Sequence, residues 1–260
     1  MIPDAAFPAL ALVLGLLLGS FYGVCVFRYL GSASILRPGR SMCDHCLKPL
    51  GPLELVPVLS WLFLRGRCKG CGRRITVKHT LYELASGLWA LLLALHFGPG
   101  WEWLGHMILG GMLIVASGID FESYILPDGL TLTGFPLAMG FAFLRPDLSP
   151  ADAAWGALAG AGAFKAIQLS YRLLRGRDGL GSGDVKLMLL IGAWIGWQLV
   201  PMAVLLGSLT ALPVGVYFLR RAKVTGQPPI VPYGPFLSLG GMACALYGQE
   251  LLDLLLLLTS

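Results

Sequence analysis

Charge is what this sequence has least of. Of its 260 residues only 13% are Asp, Glu, Lys or Arg, against roughly 25% in soluble globular domains. With 56% hydrophobic residues and a mean hydropathy of +0.75, this deficit excludes an ordinary water-soluble core. Lipid must be the solvent for most of the chain. A basic segment ahead of the first apolar run is also missing. Residues 5–27 carry no charge, Asp4 alone precedes them, and Arg28, Arg37 and Arg40 follow. That order predicts a retained first helix with its N-terminus outside, not a cleavable signal peptide. No repeat of 20–50 residues is present, which excludes a solenoid.

Long apolar runs and glycine are what the chain has in excess. A spanning helix takes about 20 mostly apolar residues. Runs of that kind cover 5–27, 80–97, 104–119, 129–144, 153–171 and 236–258, and residues 187–219 carry no charge at all. The last stretch is too long for one helix, and Gly196-Trp-Gln-Leu-Val-Pro201 supplies a turn within it. The expectation is an all-α polytopic membrane protein of eight transmembrane helices. The 35 glycines suit close helix packing in a bilayer.

If the first helix runs outside to inside, every one of the 19 Lys and Arg except Arg145 and Lys165 falls on one side. The positive-inside rule then places both termini outside and the polar segment 29–79 in the cytoplasm. The net charge of +5 is thereby a matter of topology, not of nucleic-acid binding. The chain divides into a first helix (1–28), a cytoplasmic insert (29–79) and a helical core (80–260).

The insert holds four of the six cysteines, as Cys43-Asp-His-Cys46 and Cys68-Lys-Gly-Cys71. Two CxxC turns at this separation each present two sulfurs to one tetrahedral ion. Disulfides are the competing reading, and a reducing cytoplasm disfavours them. Four protein ligands close the site, so a zinc ion there is structural. Gly70 and Gly72 ease the second turn, and His45, inside the first, faces solvent. Cys25 and Cys244 lie in apolar runs and read as core packing.

Ionisable groups at the membrane edge usually mark function. Asp120 ends an apolar run in Ser117-Gly-Ile-Asp120, and Asp184 opens another in Gly181-Ser-Gly183-Asp184. On the topology above both lie at the cytoplasmic boundary, at one depth. Two carboxylates facing one water can share a proton, one acting as base and the other as acid. Gly181 and Gly183 would let backbone approach a scissile segment. The bland alternatives are a helix-end charge at Asp120 and a loop with a helix N-cap at Asp184. Glu122 and Asp128 are rivals for a catalytic role, Asp128 also reading as an N-cap after Pro127. Lys165 can snorkel to the interface.

In this order the residues resemble the prepilin leader peptidase/N-methyltransferase family, grouped with the GxGD intramembrane aspartyl proteases. The resemblance runs through Gly19-Ser-Phe21, Pro38-Gly-Arg-Ser-Met-Cys43, Pro57-Val-Leu-Ser60, Leu64-Arg-Gly-Arg-Cys68, Ile119-Asp120, Leu126-Pro-Asp128, Gly181-Ser-Gly-Asp184-Val-Lys-Leu187 and Pro232-Tyr-Gly-Pro-Phe236. It implies catalytic Asp120 and Asp184, and zinc on Cys43, Cys46, Cys68 and Cys71. Its substrates would be type IV prepilins or type II secretion pseudopilins in a bacterial inner membrane, cut after a glycine on the cytoplasmic side. It also implies methylation of the new N-terminus from S-adenosylmethionine. No glycine-rich fingerprint places that methyl donor, so its site is unassigned. Tyr22–Gly31 and Glu54-Leu55 depart from the family's usual residues, both in the half associated with methyl transfer. Glu83 is a candidate contributor there, with a helix-end charge as its ordinary reading. Against these stand a signal-peptide-peptidase type of GxGD protease, a transporter with a carboxylate relay, and a non-enzymatic scaffold docking through its zinc knuckle.

Overall fold

The computed structural model describes residues 6–32, 34, 41–43, 45–176, 179–225 and 231–259. Arg37, Arg40, the Pro38-Gly-Arg stretch, Arg177 and Pro228–Ile230 lie outside the described residues. Among the described residues nine α-helices form: α1 (Phe7–Leu30), α2 (Leu59–Phe63), α3 (Lys78–Phe97), α4 (Trp101–Ser123), α5 (Asp128–Ala142), α6 (Pro150–Arg175), α7 (Ser182–Ile195), α8 (Val200–Thr225) and α9 (Gly234–Thr259). Among the described residues four segments are long and apolar enough to cross a membrane: Phe7–Leu30, Lys78–Phe97, Trp101–Ser123 and Trp197–Ala222. Helix α5 has 15 residues and α7 has 14, short of the about 20 that a bilayer requires. Helix α9 is long but breaks at Tyr247, where φ is −127° and ψ 21°.

The chain forms two units, Met1–Trp103 and Leu104–Ser260. In the first, α1 packs along α3. The buried stripe of α1 is Ala11, Gly15, Gly19, Gly23 and Val26, while Leu10, Leu14, Leu17 and Phe21 stay exposed. A Cβ on Gly15 would sit 2.5 Å from Ala90 Cβ, and one on Gly19 2.5 Å from Glu83 Cα. Small residues four apart therefore let the two backbones touch, the packing lipid favours when hydrophobicity cannot drive association. The exposed leucines are what a lipid solvent would cover.

Between these helices in sequence lie two matching knuckles. Cys43 N–H donates to Lys48 O at 3.0 Å and Cys68 N–H to Arg73 O at 2.9 Å. At the fifth residue of each knuckle the backbone turns left-handed, at Leu47 (φ 55°) and Gly72 (φ 70°). The second knuckle uses the residue that adopts this conformation freely, and the first does without one.

In the second unit α7 is the hub, packed by α5, α6 and α9. After Lys186 it carries no charge, and Leu187, Met188, Leu190, Ile191, Trp194 and Ile195 are all buried. A helix apolar all round belongs inside a bundle. Gly156 of α6 and Gly192 of α7 meet backbone to backbone, and a Cβ on either would collide with the other's carbonyl. Ser149 caps α6, its Oγ accepting from Asp152 N–H, and Gly176 closes it with φ 66°. The turn expected between α7 and α8 is there: Gly196 has φ 80°, and a 3₁₀ turn over Trp197–Leu199 leads into α8.

The far end of α7 is pinned. Arg145 Nη1 donates to Trp194 O at 2.9 Å, and its other nitrogens meet Asp147 Oδ1 at 3.1 Å and Oδ2 at 2.5 Å. Burial works to raise Asp147, but the Arg145 guanidinium outweighs it and holds the carboxyl below the usual range.

Candidate active site

Asp120 sits in the last turn of α4, which runs on to Ser123 before Tyr124 turns left-handed at φ 56°. Its side chain is 5% exposed, an expensive place for a carboxylate without partners. The partner is remote in sequence. Gly234 N–H, opening α9, donates to Asp120 Oδ2 at 3.0 Å.

Asp184 is the third residue of α7, where the N-cap is Gly181. The N-cap reading is thus corrected: Asp184 lies inside the first turn, with its Oδ2 3.3 Å from where a Cβ of Gly181 would be. Leu126 joins the two halves. A Cβ on Gly183 would meet Leu126 Cβ at 2.9 Å, and one on Gly234 would meet Leu126 Cδ1 at 3.4 Å and Asp120 Oδ2 at 2.7 Å. The α4–α5 turn, the start of α7 and the start of α9 therefore converge on one corner.

The rival carboxylates, Glu122 and Asp128, are exposed. Asp128 is the first residue of α5 with Pro127 as N-cap, so it is no N-cap itself; its Oδ1 accepts from Lys186 Nζ at 2.6 Å. Lys165 is exposed and bonds Gln168 Oε1 at 2.8 Å. Sequence reasoning missed the roles of Gly234 and Leu126. The signal lay in Pro232-Tyr-Gly-Pro-Phe236, which nothing local connects with Asp120. Tyr233 is anchored too, its hydroxyl 2.8 Å from Ser208 Oγ and its ring stacked on Phe164.

The four insert cysteines are free thiols whose sulfurs lie within 4.8 Å of one another, a set that could hold a metal ion. Cys43 to Cys71 and Cys46 to Cys68 are each 3.9 Å. A tetrahedral thiolate site with bonds of about 2.3 Å has edges of about 3.8 Å, so the residues fit such an ion. The N–H groups of Cys46 and His45 draw the Cys43 thiol down to about 7. Lys48 N–H acts likewise on Cys46, but desolvation and the neighbouring thiols push that group up to about 11. His45 is exposed, its Nδ1 3.3 Å from Arg73 Nη1. Cys244 is buried in the core and Cys25 half-buried. Glu83, read as a helix-end charge, is instead buried at 8% exposure, and its Oε2 accepts from Val58 N–H at 2.8 Å.

Known families divide the chain in the same place. The Bacterial Peptidase A24 N-terminal domain matches residues 13–97, and the Type IV leader peptidase family matches 107–216. A prepilin leader peptidase/N-methyltransferase of Stutzerimonas stutzeri is 35% identical over 95% of this chain and 92% of its own. One from Aeromonas hydrophila is 38% identical over 82% of this chain and 73% of its own. The chain belongs to the prepilin leader peptidase/N-methyltransferase family. It is an enzyme by that membership. The relative from Pseudomonas putida is 34% identical over 95% of this chain and 93% of its own. No solved structure matches.

Proposed function

We propose that this chain is an intramembrane aspartyl endopeptidase that removes the leader of type IV prepilins or type II secretion pseudopilins, with Asp120 and Asp184 as its dyad. The observation that carries the reading is the meeting of α4, α7 and α9 at Leu126 and Gly234, which brings two carboxylates from distant sequence to one corner. One carboxylate takes a proton from water as that water attacks the scissile carbonyl. The other, protonated, polarises the carbonyl and gives its proton to the leaving nitrogen. Gly181, exposed beside Asp184, offers a side-chain-free edge where an extended substrate backbone can lie, and Gly183 leaves room for Leu126 to close the corner. Eight helices in a bacterial inner membrane, with both termini outside, would put this corner at the cytoplasmic face, where cleavage after the leader glycine would occur.

Cys43, Cys46, Cys68 and Cys71 would hold a structural zinc ion, organising residues 29–79, the insert that lies in sequence between the first span (1–28) and the core (80–260). The basic side chains of that insert suit anionic headgroups. Methylation of the new N-terminus, with S-adenosylmethionine supplying an electrophilic methyl group, is the second activity named for the relatives, and we extend it to this chain.

The test is cleavage of a purified prepilin in detergent by wild type, Asp120→Asn and Asp184→Asn. Wild-type cleavage after the leader glycine, with both folded variants inactive, is the expected result. Cleavage by either variant removes the dyad. Failure of the wild type on several precursors favours a scaffold that docks through its zinc knuckle.

A further inference from the structure

Among the described residues only two carboxylates are buried, and they fall one to each unit: Asp120 in the second and Glu83 in the first. The dyad accounts for Asp120. Glu83 has no part in it, and it lies inside the segment matched by the N-terminal domain, residues 13–97.

Its surroundings are unusual. Glu83 is 8% exposed, and among the described residues its one hydrogen bond is from Val58 N–H at 2.8 Å. No Lys or Arg among the described residues pairs with it. On α1, Gly19 lies against the Glu83 backbone, where a Cβ would stand 2.5 Å from Glu83 Cα. On its own helix Tyr82 is the preceding residue and His79 lies one turn earlier, and both rings reach toward Gly23 of α1. A buried carboxylate without a countercharge is costly. Accepting one backbone N–H needs no charge, since an amide oxygen would serve.

Val58 is strained in turn. Its φ is 61° and ψ −52°, and Leu59 N–H reaches Pro57 O at 2.5 Å, a γ-turn of the rare hand. A β-branched residue enters this region only where its surroundings force it, and such outliers gather at functional sites. The Val58 N–H held on Glu83 is one such constraint.

We propose that Glu83 is the carboxylate that receives the amino terminus freed by cleavage and takes its proton for methyl transfer. The inference rests on the second activity extended to this chain above. An α-amine with a pKa of about 7.7–8.0 is an ammonium at neutral pH and cannot attack until it loses a proton. Glu83 pairs with that ammonium, accepts one proton, and leaves the nitrogen lone pair free. The nitrogen forms its bond to the methyl carbon while the carbon–sulfur bond breaks, its electrons staying on the sulfur of the sulfonium donor. The sulfonium becomes a neutral thioether, the product is a methylammonium, and Glu83 returns its proton to water.

The test uses full-length protein in detergent with a prepilin and the methyl donor, reading cleavage and methylation in the same reaction by mass spectrometry. Glu83→Gln should cleave at close to the wild-type rate. Its methylation at neutral pH should fall about 10²–10⁴-fold, the usual worth of a positioned base. The loss should shrink as pH rises past about 8, where the amine sheds its own proton. In a binding assay without the methyl donor, wild type should prefer a mature pilin N-terminal peptide with a free amine over its acetylated form, and Glu83→Gln should not. Methylation at the wild-type rate in Glu83→Gln overturns the proposal, as does a loss that no pH relieves. If Glu83→Gln does not fold, Glu83→Asp carries the test: slowed methylation with cleavage intact supports the proposal, and equal loss of both overturns it. Failure of the dyad reading shows separately, as cleavage that survives Asp120→Asn.

Discussion

The backbone N–H of Gly234 donates to Oδ2 of Asp120 at 3.0 Å, across 114 residues of chain. A glycine is required there for space: a Cβ would stand 2.7 Å from that oxygen and 3.3 Å from its carbon. The hydrogen bond aims the carboxylate, so its loss should be felt in the chemistry ahead of the fold.

Gly234→Ala is expected to lower the rate of prepilin cleavage about 10²-fold, the order that a misplacement of about 1 Å costs. The protein should still elute as a single folded species in detergent. Cleavage kinetics beside size exclusion check this. An unchanged rate would mean that Asp120 does not depend on the α9 corner.

Gly156→Ala and Gly192→Ala should act on stability. Each places a methyl group against the other helix's carbonyl, and overpacking of this kind costs roughly 1–3 kcal/mol. Thermal unfolding in detergent should show a lowered midpoint for each. The double variant should lose less than the sum of the two, because one separation of α6 from α7 relieves both clashes.

Removing metal should loosen the insert alone. A chelator, or Cys68→Ser, is expected to make residues 43–71 sensitive to limited proteolysis while the helices stay resistant, since metal binding there is folding free energy. Protons compete for the thiolates, so retention should fall with acid. Cys43, drawn down to about 7, should protonate after Cys46, which is pushed up to about 11. Metal content across a pH series, read by elemental analysis, checks the trend.

The Arg145–Asp147 pair gives a pH dependence of known sign. The folded pKa of Asp147 is lowered, so its contribution is present above the unfolded value of about 3.9 and lost as pH falls through the folded one. The difference in unfolding midpoint between wild type and Asp147→Asn should be open at about pH 6 and close below about pH 4. Asp147 is half exposed and the effect accordingly small. A difference that persists unchanged into acid would mean the pair does not stabilise the folded state.

Several features are legible from residue order alone. The CxxC pairs announce their cluster, because two sulfurs per tight turn leave few other geometries. The turn at Gly196 is legible because a charge-free run of that length must break. Asp120 and Asp184 stand out because charge is scarce in an apolar chain. The N-cap readings of Asp128 and Asp184 miss by one position and by three, since caps depend on where the last turn stops and not on residue type alone.

What the sequence determined by itself is the solvent of the chain, its helical character, its clustered thiols and its candidate acids, since each follows from composition or from spacing within a few residues. Only the tertiary structure decided which remote groups meet those acids. Gly234 reaching Asp120, Leu126 lying between Gly183 and Gly234, and Val58 bound to a buried Glu83 are contacts across turns and packed helices. Their residues carry no local mark, because hydrogen bonding and steric fit at such distances are set by how the helices pack.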